Sequence, residues 1–166
     1  MPTPEGPADD YDAATVAEHD DLNPDGPDHD YFRALADDLA ATCITDLGCG
    51  TGILTVTLTQ PGRTVTGIDP SARMLTYAAA HPGGHRVQWR HGTSEQLPPG
   101  QDLVLMTGNI AMHILDPHWH TTVCDSAATL RPGGVLAFET RNTTPPPSTR
   151  TTAVPSRRRG GSLAAA

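Results

Sequence analysis

The chain predicts an α/β fold, a parallel sheet covered on both faces by helices. Three observations predict it. Short apolar runs alternate with helical stretches from residue 43 onward, the first run feeds a glycine-dense turn, TDLGCGTGIL (Thr45 to Leu54), and the next run ends on an acid, Asp69. Parallel strands need crossover connections, and those crossovers are right-handed, so alternation at this spacing specifies the topology.

The elements follow in chain order. Residues 1–10 are rich in Pro and Asp and are expected to be disordered. From Tyr11 to Ala41 two helices are predicted, separated by NPDGPD (Asn23 to Asp28); Tyr31, Phe32, Leu35, Leu39 and Ala40 recur at helical spacing in the second. CITDL (Cys43 to Leu47) is the first strand, and Ile53 to Thr59 is predicted as the helix after the glycine turn. TVTGID (Thr64 to Asp69) is the second strand, followed by a helix capped by Ser71 and running through Met74, Leu75 and Tyr77 to about Ala80. VQWRH (Val87 to His91) and DLVLMT (Asp102 to Thr107) are the third and fourth strands. A helix from about His118 to Leu130, a turn at RPGG and a fifth strand, VLAFET (Val135 to Thr140), complete the ordered pattern. Residues 143–166, TTPPPSTRTTAVPSRRRGGSLAAA, read as a low-complexity, disordered tail, leaving residues 11–142 as one folded domain.

Composition narrows the class. The 166 residues suffice for one domain with a real core, and the formal net charge of -8 is unevenly spread. Residues 1–40 carry 12 acids and a single base, Arg33, whereas the five basic residues from Arg141 onward face no acid. Every basic residue is arginine. Cys43, Cys49 and Cys124 form no CxxC pair, which argues against a disulfide framework or zinc site. The amino terminus lacks the basic start and apolar stretch of a signal peptide, and no apolar run approaches the roughly 18 residues a membrane helix needs. A cytoplasmic protein without membrane or nucleic-acid partners is expected; Arg157 to Arg159 read as a solvated tail.

The glycine turn carries the chemistry. Glycine permits tight turning and leaves no side chain between backbone and ligand, while a following helix start offers free N–H groups. Asp69, about twenty residues on at the end of the second strand, places a carboxylate where a ribose diol can be bound. A dinucleotide-binding G-x-G-x-x-G would need glycine at position 53, which is Ile53, so a nicotinamide dehydrogenase is disfavoured.

The D-x-G-x-G-x-G pattern from Asp46 resembles the first motif of the class I S-adenosylmethionine-dependent methyltransferases. TGIDPSARML (Thr66 to Leu75), HGTSEQLP (His91 to Pro98), DLVLMTGN (Asp102 to Asn109) and LRPGGVLAFETRN (Leu130 to Asn142) are similar to four further motifs of that family, in order. The resemblance covers roughly residues 30–142 and implies a Rossmann-like doubly wound sheet, S-adenosyl-L-methionine as methyl donor and a small-molecule acceptor. It implies donor contacts from Asp46, Gly48, Cys49 and Gly50 in the loop and from Asp69, Pro70 and Met74 after the second strand. Thr93 and Ser94 would meet the adenine edge, and Thr107 the methionine end. Thr93 stands where the family usually has an acid, which predicts weaker donor binding, because a charged partner contributes about 1.5–3 kcal/mol against about 1 for a neutral one.

The family sheet usually closes with an antiparallel strand pair beyond the fifth strand, and its absence is expected here, as a truncation or frameshift after Asn142. The exposed sheet edge would then favour self-association. The corresponding alternative function is a non-catalytic chain that binds the donor weakly or serves as a partner subunit. His113 lies just past the fourth motif as a candidate base, although a solvated histidine is the commoner case. His113, His118 and His120 are not read as a metal site, because Pro117 breaks any shared helical face. No catalytic residue is assigned, since methyl transfer needs a base only when the acceptor must lose a proton.

Overall fold

The computed structural model describes residues 13–141 and the backbone of 149–155; the expected disorder of residues 1–10 lies outside the described residues. Two helices, α1 (Ala13–Leu22) and α2 (Pro27–Asp38), precede a sheet whose strands are β1 (Cys43–Leu47), β2 (Thr64–Asp69), β3 (Val87–His91), β4 (Gln101–Met106), β5 (Leu130–Arg141) and β6 (Thr149–Pro155). Between them lie α3 (Ala72–Ala80), the short α4 (Ile110–His113) and α5 (His118–Thr129). The strand order is β3-β2-β1-β4-β5-β6, with the first five strands parallel and β6 antiparallel to β5. The chain winds outward from β1 to β3 on one side and from β4 to β6 on the other. The carboxyl ends of β1 and β4 therefore form a topological switch point, where doubly wound sheets place a ligand crevice.

Each face of the sheet has its own apolar layer. Phe32 and Ala36 of α2, Leu54, Val56 and Leu58 after the glycine loop, and Ile44, Leu103 and Leu105 of the central strands form one layer. Ile68, Val104, Met106 and Leu136 form the other, against Trp119 and Val123 of α5. β4 is buried along its whole length, as a central strand covered on both faces must be. Ser71 caps α3 by accepting from Met74 N at 3.1 Å.

Three expectations are corrected. The helix expected over Ile53 to Thr59 is a single 3-10 turn, Thr55–Leu58. Its β-branched threonines bond backward instead of extending it, Thr57 Oγ1 donating to Leu54 O at 2.6 Å and Thr59 Oγ1 to Val56 O at 2.7 Å. The RPGG segment, expected as a turn, is the irregular start of β5, where the register against β4 shifts between Gln101 and Leu103. The third correction concerns the tail. Residues 149–155, expected to be disordered, pair with β5 from Val135↔Pro155 to Arg141↔Thr149. TRTTAVP is rich in strand-forming Thr and Val, and the open edge of β5 offers it a full row of donors and acceptors. The β5 edge expected to be exposed is thus covered over that length by one antiparallel strand.

The amino end of the sheet, opposite the crevice, is fixed by two charged residues. Arg63, after the 3-10 turn, donates to Ala41 O at 2.8 Å, Leu58 O at 3.2 Å and Ala36 O at 3.3 Å, and pairs with Asp37 at 2.9 Å. Asp102 on β4 accepts from Thr42 N at 2.7 Å, Cys43 N at 2.9 Å and Thr42 Oγ1 at 3.0 Å, and also pairs with Arg131. Burial pushes the Asp102 carboxyl up, but the two backbone N–H groups, the Thr42 hydroxyl and Arg131 together hold it below the usual carboxylate range.

Asp102→Ala should therefore destabilise the fold by about 2–4 kcal/mol, because it orphans two backbone donors at the start of β1. The contribution has a defined pH sign. A depressed carboxylate stabilises fully above its unfolded-state pKa and loses its effect as pH falls through the folded-state pKa. Thermal melts from pH 7 to pH 3 should show the gap between wild type and variant narrowing at the acid end; a constant gap would refute an ionic contribution.

Candidate functional site

The glycine loop is shaped by its attachment to the end of β2. Gly48 N and Cys49 N both donate to Ile68 O, at 2.7 and 3.0 Å. Gly50 N donates to Asp69 Oδ2 at 2.8 Å, while the other oxygen of Asp69 accepts from Ser71 N at 2.8 Å. Asp69 thus fixes the loop and the start of α3 together.

The three loop glycines have different neighbours. A Cβ on Gly48 would lie 2.4 Å from Ile110 Cγ1 of α4, and one on Gly52 would lie 2.6 Å from the indole of Trp89. Both residues also have positive φ, +77° and +74°. Gly52 therefore makes room for a packed tryptophan, not for a ligand, and Gly67 of β2 does the same from beneath. A Cβ on Gly50 would meet only the His19 ring, at 3.7 Å.

Two adjoining cavities open over this loop, of about 450 and 440 Å³. The first is lined by Asp46, Gly48, Cys49 and Gly50, by Asp69, Pro70 and Met74 after β2, and by Thr107 at the end of β4. The second is lined by Thr93 and Ser94, again with Gly48 and Pro70. Every residue singled out in the sequence as a donor contact therefore faces one of the two. Gly48, Pro70, Ile110 and His113 line both and mark the junction. Ser94 does not offer its hydroxyl freely: it donates to Asp125 Oδ2 of α5 at 2.6 Å.

The electrostatics are dominated by Asp46. Its side chain is buried at the end of β1, with Oδ2 accepting from Thr55 Oγ1 at 2.7 Å and Oδ1 without a partner. Burial pushes its pKa up to about 6; the Thr55 hydroxyl and nearby His29 act against that shift, and Asp69 reinforces it. The Cys49 thiol is pushed well above its ordinary value by burial and by Asp46 and Asp69, which leaves it a poor nucleophile. Among the described residues, no three His, Cys, Asp or Glu side chains converge as a metal-binding group.

Several lining residues carried no signal in the glycine motif. His19 of α1, His29 of α2, Asn109 and His113 after β4, and Arg141 at the end of β5 also line the first cavity. Asn109 has a left-handed backbone, and its N–H donates to buried Glu139 Oε1 at 3.2 Å. α1 is held over the loop through Asp20, which accepts from the Thr51 hydroxyl and pairs with His81 Nε2 at 2.9 Å. His29 was detectable, since it follows Asp25 by four residues; the covering role of Ile110 was not.

Fold and crevice together define a Rossmann-like doubly wound domain with a ligand-sized crevice at its switch point. Residues 44–134 match the family model described as a methyltransferase domain. The chain belongs to that family, the class I S-adenosylmethionine-dependent methyltransferases. It is 33% identical over 121 residues to a ubiquinone biosynthesis O-methyltransferase of Bordetella avium, covering 70% of this chain and 49% of that protein. The chain thus spans about half the length of this curated relative. Among solved structures it resembles S-adenosylmethionine-bound CalS10, an amino pentose methyltransferase from Micromonospora echinaspora, with TM-score 0.61 and 25% identity over 78% of this chain and 56% of that one. A TehB-like methyltransferase from Corynebacterium glutamicum shares the fold, with TM-score 0.62 at 18% identity, over 78% and 71% of the two chains.

Gly48→Ala should cost about 2–4 kcal/mol, combining left-handed strain with overlap on Ile110. Adding Ile110→Ala should recover the overlap portion alone, leaving roughly 1–2 kcal/mol of backbone strain. Denaturant unfolding of the two single variants and the double variant measures this coupling, and strictly additive losses would disprove the contact.

Proposed function

We propose that the chain binds S-adenosyl-L-methionine along the two joined cavities and transfers its methyl group to a small-molecule acceptor. The observation that carries this reading is the orphaned Oδ1 of Asp46, a buried charged acceptor lining the first cavity beside a glycine loop. A buried carboxylate oxygen without a donor is costly, and a cationic amino group supplies that donor. Asp69 lines the first cavity at the edge between β2 and the loop, where a carboxylate suits a ribose diol. Thr93 and Ser94 line the second cavity, which suits an adenine ring. The residues present therefore fit the donor.

When bound, S-adenosyl-L-methionine supplies a methyl group activated by its sulfonium charge. The chain's own contribution is alignment and exclusion of water. Asp46 and Asp69 fix the two ends of the ligand, Ile110 covers Gly48 at the junction, and α1 and α2 roof the first cavity with His19 and His29. The acceptor end is assigned to the side of that cavity lined by Met112, His113 and Arg141. A small-molecule acceptor agrees with the size of the crevice, and the curated relatives are O-methyltransferases.

Calorimetric titration with S-adenosylhomocysteine should show binding, and Asp69→Ala should weaken it tenfold or more, about 1.4 kcal/mol per decade. Absence of binding to wild type would overturn the reading. Transfer of labelled methyl to a panel of hydroxylated and amino acceptors separates an active enzyme from a chain that only binds the donor.

Asp46→Asn should separate stability from function. Asp46 has a folded-state pKa above its unfolded value, so its ionisation destabilises the fold above pH 6, and that cost fades as pH falls from 6 towards 4. The variant should gain about 1–3 kcal/mol at pH 7.5 while losing donor affinity. Equal stability of variant and wild type at pH 7.5 would refute the buried-charge account.

A further inference from the structure

We propose that the methyl acceptor is a small carboxylic acid with an apolar body, gripped through its carboxylate by Arg141 at the rim of the first cavity. The inference rests on the methyl-donor reading above and names the class of molecule on the acceptor side of the same crevice.

The first cavity is polarised along its length. Asp46 and Asp69, at the ends of β1 and β2, form its acidic floor. In the sheet register Asp46 is level with Leu105 of β4, and Leu105 with Ala137 of β5. Arg141 stands four residues past Ala137, so it lies roughly 13 Å farther along the strand direction and, two strands over, roughly 10 Å to the side. It is exposed, and among the described residues it is the one arginine that lines either cavity. No described acid pairs with it, whereas Arg33, Arg63 and Arg131 each meet an aspartate. In a chain with 19 acids to 11 bases, the exception faces the crevice.

The rim around Arg141 is apolar. Its backbone N–H donates to Met112 Sδ at 3.3 Å, which sets that thioether, 42% exposed, against the end of β5. Ile110 lines the same cavity, and Leu115, 72% exposed, lines the adjoining one. Apolar side chains left in water at the mouth of a crevice gain by being covered with an apolar ligand body. A planar guanidinium matches a carboxylate through two parallel bonds. A phosphate dianion calls for further permanent cations, and among the described residues no second arginine or lysine lines the cavity. The acids of the floor repel an anion, so the carboxylate is held at the rim while the opposite end of the acceptor reaches the junction at Ile110 and His113.

The test is calorimetry on the full chain saturated with S-adenosylhomocysteine. The probes are 4-hydroxyphenylacetate, 3-(4-hydroxyphenyl)propanoate and 8-hydroxyoctanoate, each measured against its own primary amide. Wild type should bind at least one acid about fivefold tighter than its amide. Arg141→Gln should abolish that preference while leaving the affinities for the amide and for S-adenosylhomocysteine within twofold, and Arg141→Lys should restore part of it. Circular dichroism checks the folding of both variants. Amides that bind as well as the acids, a preference that survives Arg141→Gln, or no binding by any acid would overturn the proposal. A matching loss of S-adenosylhomocysteine affinity in Arg141→Gln would also overturn it, by assigning Arg141 to the donor. Failure of the donor reading looks different: wild type would bind no S-adenosylhomocysteine, and the acceptor assignment would fall with it.

Discussion

The bond from Gly50 N to Asp69 Oδ2, at 2.8 Å, is the constraint on which the site depends. With Gly48 N and Cys49 N both turned onto Ile68 O, it bends the chain leaving β1 across the end of β2. Everything above the sheet takes its position from that bend. Gly48 comes up against Ile110, Gly52 drops onto Trp89, and Asp46 is left facing the first cavity at the last turn of buried strand. The same carboxylate receives Ser71 N and so begins α3, whose first turn places Met74 at the cavity wall. One acidic side chain thus couples loop, helix and cleft, and a loop without it would keep its glycines but lose its direction.

Such an arrangement concentrates like charge. Asp69 lies close enough to raise the cost of ionising Asp46, and both acids raise the Cys49 thiol. The fold offsets this strain at the far end of the sheet. Arg63 and Asp102 there satisfy backbone groups of α2, the 3-10 turn and the start of β1, well away from any ligand. Stability at the amino ends of the strands and ligand chemistry at their carboxyl ends is the division expected of a doubly wound sheet. Here it has named members on each side.

The sheet was legible because its signals are local. CITDL, TVTGID and VQWRH are apolar or β-branched runs bounded by turns, and each forms the strand its sequence describes. Ser71 was legible as a cap for the same reason. Signals failed where the outcome depended on a competing partner. Thr55 to Thr59 kept an apolar pattern, but its hydroxyls closed a 3-10 turn instead of lengthening a helix. Residues 149–155 look like spacer in isolation and become a strand only beside the edge of β5. In the site, the motif residues were legible because glycine and aspartate at fixed spacing carry mechanism. What nothing local revealed is the use of Gly52, whose bare backbone admits Trp89 from far along the chain.

The cover of the cleft is built differently from its floor. Of the α1 residues whose side chains are described, Val16 alone is buried, so apolar packing contributes little to holding the helix in place. What holds it is polar: Asp20 takes the Thr51 hydroxyl of the loop and the His81 ring at the end of α3. α2, by contrast, buries Phe32 and Ala36 completely in the core. Buried apolar contact holds a helix more firmly than a few part-buried polar bonds do, so α1 is the less firmly held of the two. His29, on α2, is therefore held at the cavity wall by the buried apolar face of its own helix, whereas His19 on α1 is held there by polar bonds alone.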